Sequence, residues 1–195
     1  MNLMSRIVNI HTHHHTGNAI EPMAIGIHPW EAASRSVADI EPMIADADAV
    51  GEIGLDGVCD VDIELQFPVF REQLALAERF SKPVVIHCVR TFEQVMKCLD
   101  SYRLKAVIFH GFIGSPEQAE RAVSRGYFLS FGERTIHSPK TIKALRSTPL
   151  SHIFIESDES PVPIEQIYEQ IADLLAIDPN KLIEEVRRNF EMIFL

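Results

Sequence analysis

The sequence predicts a parallel α/β fold, and three observations predict it. Short apolar runs recur along all 195 residues, amphipathic stretches separate them, and metal-ligand residue types sit where the runs end. The runs lie at 6–11, 24–28, 49–53, 83–87, 106–110, 127–131 and 152–156. Each carries four or five apolar or β-prone residues without clean polar alternation. That is the pattern of strands covered on both faces. Between them, Ile164, Ile167, Ile171 and Leu174 recur at helical spacing, as do Leu182, Val186, Phe190 and Phe194. Asp178 before Pro179 supplies the last helix with an N-cap and a helix-compatible first residue. Strands alternating with helices imply a parallel sheet, open or closed. With no internal repeat, low-complexity tract or long linker, one domain over 1–195 is expected.

Composition narrows the setting. The chain is 46% hydrophobic and carries a net charge of −10, which is globular and neither collagen-like, disordered nor coiled-coil. A pI near 5.3 argues against gripping long duplexes through many phosphates. It leaves room for a phosphate-bearing substrate held by metal ions. Cys59, Cys88 and Cys98 form no CxxC pair and read as reduced thiols. No run is apolar enough for a signal peptide or a membrane helix, so a cytoplasmic setting is expected. P-loop, GxGxxG and GxSxG motifs are absent from the sequence.

The strand ends carry the chemistry. His11 and His13, His28, Glu52, His87, His110 and Asp158 each come as an apolar run finishes. In parallel α/β proteins those ends share one face, where active sites are built. His11 and His13, at i and i+2, point to the same side of a strand and can reach one ion. The competing reading is a polyhistidine accident, since His14 and His15 follow. Glu52 in AVGEIGLD is a carboxylate in an apolar run, costly unless coordinated or paired with Arg71 or Arg90. His87 and His110 taken singly read as hydrogen-bonded core histidines, but their repetition at equivalent positions favours a shared metal site. Two ions about 3.5–4 Å apart need about six ligands, and His11, His13, Glu52, His87, His110 and Asp158 fit that inventory.

In order, NIHTH, GIHPW, GEIGLD, QLALAERFSKPVVIHCVR, FHGFIGS, YFLSFG, ESDES and NFEMIF resemble the TatD family of metal-dependent deoxyribonucleases. The resemblance covers most of the chain from residue 6 onward. It implies a TIM-like parallel β/α barrel and a dinuclear divalent metal centre that activates water against phosphodiesters. It makes His11, His13, Glu52, His87, His110 and Asp158 the ligands, with Glu52 bridging and Asp158 also helping to deprotonate water. His28 and Arg90 are implied phosphate contacts. Zinc, manganese or magnesium would serve, and the substrate would be DNA ends or short single-stranded DNA. The histidine-rich shell leans toward zinc or manganese. A related amidohydrolase or phosphoesterase acting on a small ester, lactone or amide is the alternative, and a non-catalytic metal-binding member the third.

This chain departs from the family in three places. Asn9 stands where the family usually has Asp, and ESDES replaces the usual ETD motif. Between His13 and His28 only a loop fits, where relatives place a helix, a strand and another helix. A complete eight-unit barrel typically takes about 250 residues. The shortage therefore predicts a barrel of about seven strands, with one βα segment missing after the first.

Overall fold

The computed structural model describes residues 7–195, so Arg6 of the first expected strand lies outside the described residues. The chain divides into two compact units, 23–109 and 7–22 with 110–195.

In the 23–109 unit four parallel strands run in the order β1 (Ala24–Ile25), β2 (Ala49–Asp56), β3 (Val84–Val89) and β4 (Val107–Phe109). Helices α1 (Val37–Ile40), α2 (Ile63–Arg79) and α3 (Phe92–Leu99) occupy the connections. The interiors of β2 and β3 are almost wholly apolar, with Val50, Ile53, Leu55, Val84, Val85 and Ile86 at 0% exposure. That is why these segments show no alternation in sequence. Val50 pairs with Val84 and Ile53 with Ile86, so β2 fits one extra residue into this stretch and Glu52 falls within it. Such irregularities re-aim side chains beside functional sites. Gly54 then pairs with His87 at φ 151°, and a Cβ there would sit 1.9 Å from the His87 carbonyl oxygen. Only glycine permits that approach.

Two glutamines on α2 fix the strand ends. The Gln66 amide accepts from Asp56 N at 2.8 Å and donates to Asp56 O at 3.0 Å. One heptad on, Gln73 accepts from Ile27 N at 2.6 Å and donates to Ile27 O at 3.1 Å. Both glutamines are 1% exposed. They satisfy backbone groups that would otherwise be buried without partners, and so they hold the residues beside His28 and His87.

In the other unit, residues 7–13 run extended and meet β6 (Ile153–Ile155) and the turn after it. Ile10 N donates to Ile155 O, Asp158 N to His11 O and His13 N to Asp158 O, each at 3.1 Å. β5 (Phe128–Phe131) pairs with β6 in parallel through Leu129↔Ile153. Helices α4 (Pro116–Val123), α5 (Glu133–Ile136), α6 (Pro139–Ser147), α7 (Ile164–Leu175) and α8 (Pro179–Phe194) complete it. The expected N-cap forms: Asp178 accepts from Asn180 N at 2.7 Å, with Pro179 opening the helix. Ile164, Ile167, Ile171, Leu182 and Val186 are buried on α7 and α8, as their spacing requires.

Six of the seven expected strands form at their places, with different bounds. Of the 6–11 run, residues 7–11 are described and form no strand; this extended segment makes isolated bridges, Val8 to Ile20 and, just beyond it, Thr12 to Asp158. The 24–28 run keeps two residues as strand, because Gln73 takes both backbone groups of Ile27 and Pro29 has no N–H to offer. The 49–53 run instead extends to Asp56. Between residues 14 and 22 no helix or strand forms. The Glu21 carboxylate closes that loop by accepting from Thr16 N, Thr16 Oγ1 and Gly17 N. No described helix is long and apolar enough to cross a membrane.

Candidate metal centre

In the unit of 7–22 and 110–195, the extended segment presents His11 and His13 to Asp158. Backbone hydrogen bonds on both sides of Thr12 clamp this arrangement. Asp158 adopts φ 54°, a left-handed conformation that aspartate tolerates better than most residues. Its Oδ1 lies 3.7 Å from His11 Nε2 and 3.5 Å from His13 Nε2. One ligand atom from each of the three falls within 4.8 Å of the others, close enough to share an ion. His110, directly after β4, forms a second such trio with Glu156 and Asp158. Its ring packs 4.5 Å from that of His11.

Glu156, which the sequence reading passed over, is 1% exposed. Its Oε1 accepts from Gly111 N at 2.6 Å and lies 3.5 Å from His110 Nδ1. Burial pushes its pKa up, but His110, by hydrogen bond and charge, outweighs burial with help from His11 and Ser130. The net result is a carboxyl below its ordinary range. Its placement suits it to orient His110. The signal was present in ESDES, where Glu156 ends the apolar run two residues before Asp158. A cavity of about 220 Å³ opens beside these carboxylates, walled by Ile113, Arg134 and Thr135.

In the 23–109 unit, Glu52, His87 and His28 form a third trio. Glu52 Oε1 lies 2.6 Å from His87 Nδ1 and 3.3 Å from His28 Nε2, and the two imidazoles approach to 3.2 Å. The arginines expected as alternative partners of Glu52 are placed elsewhere. Arg71 lies over the Phe67 ring, and Arg90 is exposed after β3 at φ 56°.

Asp56 sets the orientation of His87. Its Oδ2 lies 3.0 Å from His87 Nε2 and accepts from Trp30 Nε1 at 2.8 Å, while Oδ1 accepts from Val58 N at 2.9 Å. Burial raises the Asp56 pKa, but these hydrogen bonds from Trp30, Val58 and His87 exceed it and hold the carboxyl below its usual range. An ionised Asp56 can only accept, so His87 carries a proton on Nε2 and directs Nδ1 at Glu52. A carboxylate oxygen 2.6 Å from that nitrogen requires a proton or a cation between them. His28 is set differently. Its Nδ1 accepts from Trp30 N at 3.3 Å, which leaves Nε2 as the protonated nitrogen of the neutral ring.

The family described as TatD related DNase has a sequence model that matches residues 6–195. The chain belongs to the TatD family. Among its relatives, YjjV of Escherichia coli, named as an uncharacterized metal-dependent hydrolase, is 35% identical over 153 residues, or 72% of this chain. The human protein named deoxyribonuclease TATDN3 is 28% identical over 162 residues, or 75% of this chain. The chain spans 59% of the length of each. The crystal structure of YjjV matches with a TM-score of 0.82 at 26% identity, covering 89% of this chain and 76% of the other. This TatD chain therefore has the parallel β/α barrel architecture of its family in shortened form.

Proposed function

We propose that this TatD protein is a metal-dependent phosphodiesterase, of deoxyribonuclease type, acting on DNA ends or short single strands. The observation that carries the reading is the convergence of His11 and His13 with Asp158, one ligand atom from each falling within 4.8 Å of the others although the histidines and the aspartate are far apart in the chain. The proposed ligands are His11, His13, Glu52, His87, His110 and Asp158, serving two divalent ions of zinc, manganese or magnesium. Nitrogen and oxygen donors of this kind fit such ions, and the 2.6 Å approach of Glu52 to His87 calls for positive charge. When bound, a divalent ion supplies Lewis acidity to the phosphoryl oxygen and lowers the pKa of water.

The remaining steps belong to the side chains. Asp158 accepts the proton of the attacking water. His28, with Nε2–H as its donor, holds a nonbridging phosphate oxygen, and the exposed Arg90 guanidinium contacts a neighbouring phosphate. Glu156 keeps His110 in its orientation. Relatives carrying the name deoxyribonuclease support DNA as substrate.

Turnover of short single-stranded DNA tests this, with zinc, manganese or magnesium supplied and with a chelator. Metal-dependent cleavage that is lost in Asp158→Ala is the expected result. Cleavage that persists under chelation, or that survives Asp158→Ala unchanged, would overturn the reading. A small phosphate ester is the second candidate substrate, favoured by the 220 Å³ cavity and the net charge of −10. Hydrolysis of such an ester in preference to DNA would select it.

A further inference from the structure

The single tryptophan of the chain, Trp30, is 59% exposed, the only aromatic among the large exposed apolar residues described. Burial therefore explains little of its presence, and an exposed large aromatic is informative where an exposed leucine is not. Its orientation is nonetheless fixed. Nε1 donates to the 3%-exposed Asp56, and the backbone around it is a 3₁₀ turn opened by Pro29. The indole centroid lies 4.8 Å from the His28 ring, in an edge-on arrangement, and 6.4 Å from that of His87. A rigid, largely uncovered aromatic ring thus stands beside the proposed phosphate donor.

We propose that Trp30 is a stacking platform for one unstacked nucleobase of the substrate strand. The inference rests on the phosphodiesterase reading and adds base recognition to it. Single-strand binders use aromatic rings this way because every base offers a π-face, which gives affinity with little sequence preference. A chain with a net charge of −10 gains particularly from such a contact, because stacking does not depend on attraction to the phosphates. Asp56 anchors both the platform and His87, so base and metal ligand are held in register by one carboxylate. Trp30 binds substrate without touching the reacting atoms.

Having one tryptophan makes the test direct. The metal-loaded protein is titrated with a phosphorothioate-linked hexadeoxyadenylate and with an abasic strand of the same length and linkage, and Trp30 emission is followed. The expected result is saturable quenching by the adenine strand and little by the abasic one. In turnover of ordinary hexadeoxyadenylate, Trp30→Ala should raise KM about tenfold. Trp30→Phe, which keeps a ring, should retain most of the affinity. Equal quenching by both strands, or an unaltered KM in Trp30→Ala, would overturn the platform while leaving hydrolysis intact. Base-dependent quenching without any cleavage would support the platform and remove the hydrolase reading instead.

Discussion

Asn9 and Ser157 bond to each other through both ends of the Asn9 amide. Nδ2 donates to Ser157 Oγ and Oδ1 accepts from Ser157 N, each at 2.9 Å. Ser157 Oγ then donates to Thr12 Oγ1 at 2.9 Å, tying the segment that bears His11 and His13 to the turn that bears Asp158. Two of the departures seen in the sequence, Asn9 and the ESDES turn, are therefore partners. Asn9→Asp would keep the acceptor but lose the donor, and would bury a second negative charge at a site 3% exposed, one residue from Glu156 and Asp158 through Ser157. The expected cost is about 1–3 kcal/mol. Chemical denaturation of both proteins measures it, and equal midpoints would show that the amide has no such role.

Asp56→Asn tests the orientation of His87. The amide has one oxygen where the carboxylate now serves Trp30, Val58 and His87 together. With its oxygen at the Oδ2 place the amide sets Nδ2 against Val58 N–H, and turned the other way it sets Nδ2 against Nε2–H and Trp30 Nε1–H, so the hold on the ring weakens in either orientation. Metal affinity should fall about 10–100-fold, the usual effect of removing a group that orients a ligand histidine. Competition with a chromophoric chelator reads this without turnover. The ¹⁵N signals of the His87 ring separate a change of tautomer from general loosening. Unchanged affinity and unchanged ring signals would show that Asp56 is there for Trp30 alone.

Cys88 gives a pH-dependent prediction. Burial pushes its thiol up to about 11, and the nearby Asp56 charge adds to the rise while Thr91 opposes it. A raised thiol pKa means less thiolate at any pH below it. At pH 8 roughly one thiol in a thousand is ionised, and alkylation needs the thiolate. Iodoacetamide on the native protein should leave Cys88 unmodified at pH 8, with its rate rising about tenfold per unit until near pH 11. Mass spectrometry of the digest locates the label. Rapid labelling of Cys88 at pH 8 would contradict the raised thiol pKa.

The proposed ligand residues were legible because each stands where an apolar run ends, a signal that survives without coordinates. Glu52 was legible for that reason even though β2 runs on past it to Asp56. Gln66 and Gln73 were not, because glutamine on an amphipathic helix reads as a solvated face. Their burial follows from backbone groups of Asp56 and Ile27 that lack strand partners, which pattern alone does not reveal. Asp56 was hidden similarly: GEIGLD contains it, but its worth depends on Trp30 and His87 arriving beside it. A loop after His13 was readable from the short spacing to His28, and Glu21 closes it by accepting from Thr16 and Gly17.

Metal addition should stabilise the folded protein if the histidine and carboxylate trios bind ions that the unfolded chain does not. At a free metal concentration one hundred times Kd the gain is about 2.7 kcal/mol. Zinc or manganese should therefore raise the melting temperature of chelator-treated protein, with saturation as the sites fill. His11 is buried and His13 half exposed, so they divide the effect differently. His13→Ala removes a ligand with little loss of packing and should abolish part of the metal-induced rise while leaving the chelated melting point almost unchanged. His11→Ala should lower both, because its ring also packs against His110. Differential scanning fluorimetry with and without metal separates the two variants. A melting temperature of the parent protein that ignores both chelator and metal would rule out these residues as an ion site.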